Sequence, residues 1–198
     1  MKLQKTTWGL LVSAAFLCTA VTAVYIYEIK FQHQQSQMKS NNNKLFDFIE
    51  EDIKNITVKT QQNTLEFQRT KDDKNFWQMT QPKQETANDA TISFLTNLLV
   101  TGESARRFTI PTSQQEDYGL KKPLATIEVI LNDSSKHQIV LGNSDFNDGF
   151  LYAIVDPNTQ DTTEITISLV SKNYRYAIDR EIDEWLEKNE SSGSPKKY

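Results

Sequence analysis

Cysteine is nearly missing from this chain: the single one among 198 residues is Cys18. No intramolecular disulfide can form, and because Cys18 lies inside an apolar stretch, the rest of the chain has no thiol to offer as nucleophile or metal ligand. Histidine is scarce as well, with only His33 and His137. A hydrolytic triad needs a base beside a nucleophile. His137 opens a predicted strand with no GxSxG in the sequence, so it reads as a solvent-facing strand residue; His33 has no second ligand at a useful spacing. Six glycines are scattered singly, which leaves no loop to cradle phosphates. An excess of basic charge is also absent from most of the chain: residues 45–198 carry 17 Lys plus Arg against 25 Asp plus Glu, a net charge of −8. Such a surface repels phosphate backbones, which excludes nucleic acid as a partner. No catalytic, cofactor-binding or metal-ligating constellation is expected.

The sequence does contain one long hydrophobic run. From Trp8 to Tyr27 there is no charged residue for 20 positions, enough helix at ~1.5 Å per residue to cross a hydrocarbon core of about 30 Å. Trp8 and the pair Tyr25 and Tyr27 stand where aromatic rings favour the headgroups, and Lys2, Lys5 and Lys30 bracket the run. The rival is a cleavable signal peptide, with Lys2 and Lys5 as its basic start and Val21-Thr22-Ala23 as its cleavage site, but the apolar run continues to Tyr27 and outlasts an ordinary signal core. A lipoprotein reading of Cys18 fails on Leu17, where a small residue is needed. Residues 1–44 carry five Lys against Glu28, a net +4, divided almost evenly between the two flanks, so charge barely orients the helix. The short head and signal-like start favour export of the C-terminal part. The expected organisation is a cytoplasmic head (1–7), a transmembrane helix (8–27), a polar tether (28–44), one soluble domain (45–188) and a disordered tail (189–198).

Within the domain, short apolar alternations predict strands near 54–60 and 64–69 in a hairpin, then a third strand from Phe76 to Thr80 stopped by Pro82. The period then changes. Ala87, Ile92, Leu95, Leu98 and Leu99 share one helical face, with Asn88 or Asp89 as cap and Gly102 past the end. Phe108 and Ile110 suggest a short strand, and Gln114 to Tyr118 a helical turn closed by Gly119. Strands follow at 126–131, 137–142, 150–155 and 163–168, and Leu169 to Leu186 reads as one or two short helices. The fold class is therefore α+β: an N-terminal transmembrane helix, then mostly antiparallel strands in two groups with a packed helix between them and short C-terminal helices.

The order LFDF (45–48), FWQMTQP (76–82), the Ala87 to Leu99 helix, DYGLKKP (117–123), LG (141–142) and YAIV (152–155) resembles the bacterial family catalogued as domain of unknown function 4340. The likeness covers about Leu45 to Leu186, and YGL followed by Pro123 is its most recognisable part. The resemblance implies a membrane-anchored extracytoplasmic α+β protein without an assigned activity, often near transporter components, and the expected location is a bacterial membrane with the C-terminal domain periplasmic or thylakoid lumenal. It supplies no catalytic residues.

Two functional classes stand side by side. One is a non-catalytic accessory protein that binds or helps assemble a membrane protein complex, held to the bilayer through residues 8–27. The other is an envelope enzyme or carbohydrate-binding module, which would need a cleft lined by Trp77, Tyr118 or Phe146 with two facing carboxylates. The acids Glu50, Glu51 and Asp52 read as a solvated edge, and Glu181, Asp183, Glu184 and Glu187 as the polar side of a terminal helix carrying Ile182, Trp185 and Leu186 inward. In NSDFNDG (143–149), Asp145 and Asp148 lack the ligand spacing of a calcium loop, and a hairpin turn closed by Gly149 explains them better. Loops carry contacts, so the candidate partner-contact residues are Phe146, Tyr118 and Asp148. For Phe146 the simpler expectation is that its ring tucks back into the core; an exposed ring would instead mark an interface.

Overall fold

A computed structural model describes residues 43–70, 76–158 and 163–188. The charged turn at 71–75, the Trp8–Tyr27 run with its head, the tether as far as Asn42 and the tail at 189–198 lie outside the described residues. Among the described residues no helix is long and apolar enough to cross a membrane.

Nine strands and two short α-helices follow one another in this part of the chain. They are β1 (Ile53–Thr60), β2 (Thr64–Arg69), β3 (Trp77–Gln81), β4 (Glu85–Thr86), α1 (Asp89–Thr101), β5 (Arg106–Pro111), β6 (Ala125–Leu131), β7 (Lys136–Ser144), β8 (Phe150–Val155), β9 (Glu164–Ser171) and α2 (Asn173–Ile178). Single 3-10 turns occupy Glu50–Asp52, Thr112–Gln114 and Ile182–Trp185. The two expected strand groups are one sheet: β1 pairs with β6 from Thr60↔Ala125 to Ile53↔Leu131, giving the order β4-β3-β2-β1-β6-β7-β8-β9-β5 with every pairing antiparallel. Its edges are a two-residue strand and one that ends on Pro111, both poor templates for adding another strand.

The sheet is covered on both faces. On one, Ile56, Val58, Phe67, Met79, Ile127, Ile139, Leu141, Leu151 and Ala153 meet α1, whose Ile92, Leu95 and Leu99 are fully buried. Each contributes about 1.5–3 kcal/mol by leaving water. Asn88 caps α1, its side chain accepting from the Thr91 amide at 3.1 Å. Trp185 is fully buried against Phe67, ring centroids 5.2 Å apart, as the terminal pattern predicted, although a 3-10 turn rather than a helix carries it. On the other face, under β7, β8, β9 and β5, Ile110, Leu120 and Ile167 form a smaller core with Tyr118, Val140 and Tyr152.

Two expectations need correction. Residues 169–171 continue β9 and are not helical. The chain also joins the domain slightly earlier than the tether boundary at Lys44: the Ser104 amide donates to the Asn43 carbonyl at 2.7 Å, and the Leu45 amide donates to Gly102 at 2.9 Å.

Candidate functional site

The β7–β8 hairpin projects from one end of the sheet. Its base is closed by the Asp145 amide donating to Phe150 at 2.9 Å, and the Asp145 carboxylate accepts from the amides of Gly149 and Phe150, both at 2.8 Å. The left-handed residue is Asp148, with φ +52°, not Gly149. Asp145 is thus occupied in building the turn. Phe146 at the tip is 97% exposed. The expectation that its ring tucks back is overturned: the ring stands in solvent, and hydrogen bonds close the turn below it.

Tyr118 lies beneath the hairpin, half-buried, with its ring 4.8 Å from that of Tyr152 and 5.8 Å from that of Phe108. Its backbone is the more informative part. Between Leu141 and Ser144 the β7–β8 register slips, the signature of a β-bulge, and the Asn143 amide donates to the Tyr118 carbonyl at 2.9 Å. A Cβ on Gly142 would stand 2.2 Å from that same carbonyl oxygen, and Gly119 holds φ +71° with the Asn143 side chain 2.5 Å from where its Cβ would be. The YGL and LG segments therefore lock together, and only glycine permits the approach.

Asp148 sits beside cations. A hydrogen bond from Ser144, followed by the charges of Lys172 and Arg175, holds its carboxyl below the ordinary aspartate range. Arg175 Nη2 also donates to Ser144 Oγ at 3.1 Å, so the start of α2 is tied to the foot of the hairpin. Burial, then the nearby Asp145 and Tyr118, raises the Tyr152 phenol above its usual value.

The structure thus brings Tyr118, Phe146 and Asp148 to one end of the sheet. It does not bring Trp77 there: Trp77 is buried at 3% exposure, under the Arg69 guanidinium at 4.9 Å, and four strands separate β3 from β8 in the sheet.

Two arrangements escaped the sequence reading. His137 is not a solvent-facing strand residue. Its ring packs on Phe46 and Phe48 at 5.6 and 5.1 Å, and Nδ1 meets the Asp156 carboxylate at 2.8 Å. The other Asp156 oxygen accepts from the Gln138 amide at 2.8 Å. The pair fastens the 45–48 segment onto β7. The second arrangement is a groove near α2 lined by Arg175 and Arg180. Nothing short of the three-dimensional arrangement brings β1–β2 turn residues to these arginines. Among the described residues no group of three or more His, Cys, Asp or Glu is placed to hold a metal ion.

No protein-family model, curated protein or solved structure shows a significant match to the chain.

Proposed function

We propose that this chain is a non-catalytic, single-pass membrane protein, related to the domain of unknown function 4340 family, whose extracytoplasmic domain docks on a membrane protein complex through the β7–β8 hairpin. The observation that carries the reading is Phe146, a large aromatic at 97% exposure on a turn fixed by four hydrogen bonds of 2.8–3.0 Å. A ring held in water by a rigid turn gives the fold nothing, yet it enters a partner's pocket with little further loss of entropy. The anchor at 8–27 restricts the search for that partner to the bilayer surface and raises the effective concentration of a weak contact.

The point of chain entry agrees with this arrangement. Asn43 and Lys44 accept hydrogen bonds from Ser104 and Arg107 beside the start of β5. Arg106 there faces Leu169, and Leu169 faces Tyr152, so the chain enters the domain at the end of the sheet that bears the hairpin.

The test is affinity recovery of the full chain from gently solubilised membranes, comparing wild type with Phe146→Ser. An interface anchor is worth about 2 kcal/mol or more, so co-recovered subunits should fall severely in the variant while the melting temperature is unchanged. Recovery of the wild-type protein alone would count against the accessory reading altogether.

A further inference from the structure

The hydrogen bonds that shape the Phe146 turn lie inside the hairpin: the amides of Asp145, Asp148, Gly149 and Phe150 all donate to residues 145 or 150. They fix the shape of the turn but not the direction in which it points. Direction is decided at the foot, where the register slip between Leu141 and Ser144 interrupts the ladder that would otherwise hold the hairpin in line with the sheet. Two consecutive residues meet supports there from opposite sides. The Asn143 amide donates to the Tyr118 carbonyl at 2.9 Å beside the small core. Ser144 pairs with Leu151 of the large core, and its hydroxyl accepts from Arg175 Nη2 of α2 at 3.1 Å.

The support from α2 is itself firmly rooted. Tyr174 and Ala177 are buried, and the Tyr174 hydroxyl donates to the Leu98 carbonyl of α1 at 2.6 Å. Among the described residues Ser144 is the only side-chain hydrogen-bond partner of Arg175, whose Nε is buried without one, so packing places the guanidinium and one hydroxyl uses it. Ser144 in turn bonds to the Asp148 carboxylate, which is thereby held back towards the foot, where Lys172 and Arg175 face it. Asp148 adopts the left-handed φ of +52°, which aspartate tolerates better than most side chains. We infer that Arg175, Ser144 and Asp148 form a brace that aims the Phe146 hairpin, so that α2 sets the direction of docking and Asp148 is a positioning residue, not a partner contact. The inference deepens the docking reading and rests on it: a ring already presented in one direction enters a partner's pocket without the hairpin first having to be ordered.

The test uses the full chain in neutral detergent and follows two amides by hydrogen exchange: Asn143, which bonds to Tyr118, and Asp148, which bonds to Asp145. Ser144→Ala removes the shared hydroxyl without touching α2, and Arg175→Gln removes the cation. Each should speed exchange at both amides about tenfold, the effect of losing one hydrogen bond to a charged group. The double variant should be no faster than either single one, because both break the same chain of bonds. Amides of Ile127 and Val129 in β6 should exchange as in the wild type, with melting temperatures unchanged. From gently solubilised membranes both single variants should recover severalfold less of the partner complex, although Phe146 is intact. Unchanged exchange, or a double variant about a hundredfold faster, overturns the brace. Full partner recovery by both single variants, when Phe146→Ser loses the partner, overturns its role in docking. If Phe146→Ser also recovers the complex in full, the docking reading fails and the docking role of the brace fails with it, while accelerated exchange still upholds the brace itself.

Discussion

Substituting Gly142 by alanine tests the lock between the YGL and LG segments, and its cost can be worked from the structure. The added Cβ would stand 2.2 Å from the Tyr118 carbonyl oxygen and 3.1–3.2 Å from the Leu120 side chain. The leucine can adjust but the carbonyl is backbone, and it must withdraw by about 1 Å to restore ordinary contact. That movement stretches the 2.9 Å bond from Asn143 past any useful length. Loss of the bond costs about 1–3 kcal/mol where the amide is left unpaired, and the crowding adds about 1–3 kcal/mol. A central value of about 4 kcal/mol lowers the melting temperature by about 8–16 °C in a domain of this size. Gly149→Ala is the matched control, since its Cβ finds nothing nearer than 4.0 Å, and it should change stability by less than about 0.5 kcal/mol. Thermal melts followed by near-ultraviolet circular dichroism decide the matter. Equal melting temperatures for the two variants would refute the lock.

Leu95→Ala, at a fully buried position on α1, should cost about 2–5 kcal/mol in chemical denaturation, and a fragment spanning 43–188 should melt in one transition; two transitions split near Pro111 would contradict the continuous sheet. Tyr152 and Tyr174 both have phenols raised above the usual value, mainly by burial. The neutral form is thus favoured in the folded state, so the stability they contribute is complete below about pH 10 and is lost as pH climbs towards the folded values. Alkaline titration of Tyr152→Phe should show a shallower loss than wild type, and an identical curve would reject this assignment. For the proposed anchor, the protein should resist alkaline carbonate extraction, and Ala15→Arg should reduce insertion at a cost of ~2.5–3.5 kcal/mol. A mature chain starting near Val24 by mass spectrometry would overturn the anchor.

Periodicity revealed most elements because one face of each strand or helix meets a core. The alternation of Ile127, Val129 and Leu131 marks β6, and the spacing of Ile92, Leu95 and Leu99 marks α1. It failed where both faces are covered. In β9, Ile165 and Ile167 turn to the small core while Val170 turns to the large one, so the apolar positions lose their period of two and residues 169–171 look helical. The two-residue β4 is too short to show any period. The candidate site was legible in part. Turn chemistry placed the hairpin at 143–149, but the ring of Phe146 was expected inside because apolar burial is the default; backbone closure through Asp145 decided otherwise. His137 looked exposed because its partners, Phe46, Phe48 and Asp156, are distant or unmarked in sequence.

What no one-dimensional pattern reveals is which strand ends meet. The pairings Thr60↔Ala125, Ala125↔Leu141 and Leu141↔Ala153 form one row across the sheet. Beyond that row the β1–β2 turn, the Tyr118 corner and the Phe146 hairpin emerge together. Because β9 runs antiparallel to β8, it delivers α2 and its arginines to the same end, and β5 begins there beside the entering chain. Antiparallel order alone therefore concentrates loops from four separate regions of the sequence at one end. The opposite end holds the His137–Asp156 clasp, in which Nδ1 meets the carboxylate at 2.8 Å. A contact surface needs groups that the fold holds still but does not use. Phe146 meets that condition, at the end of the sheet where the chain enters the domain.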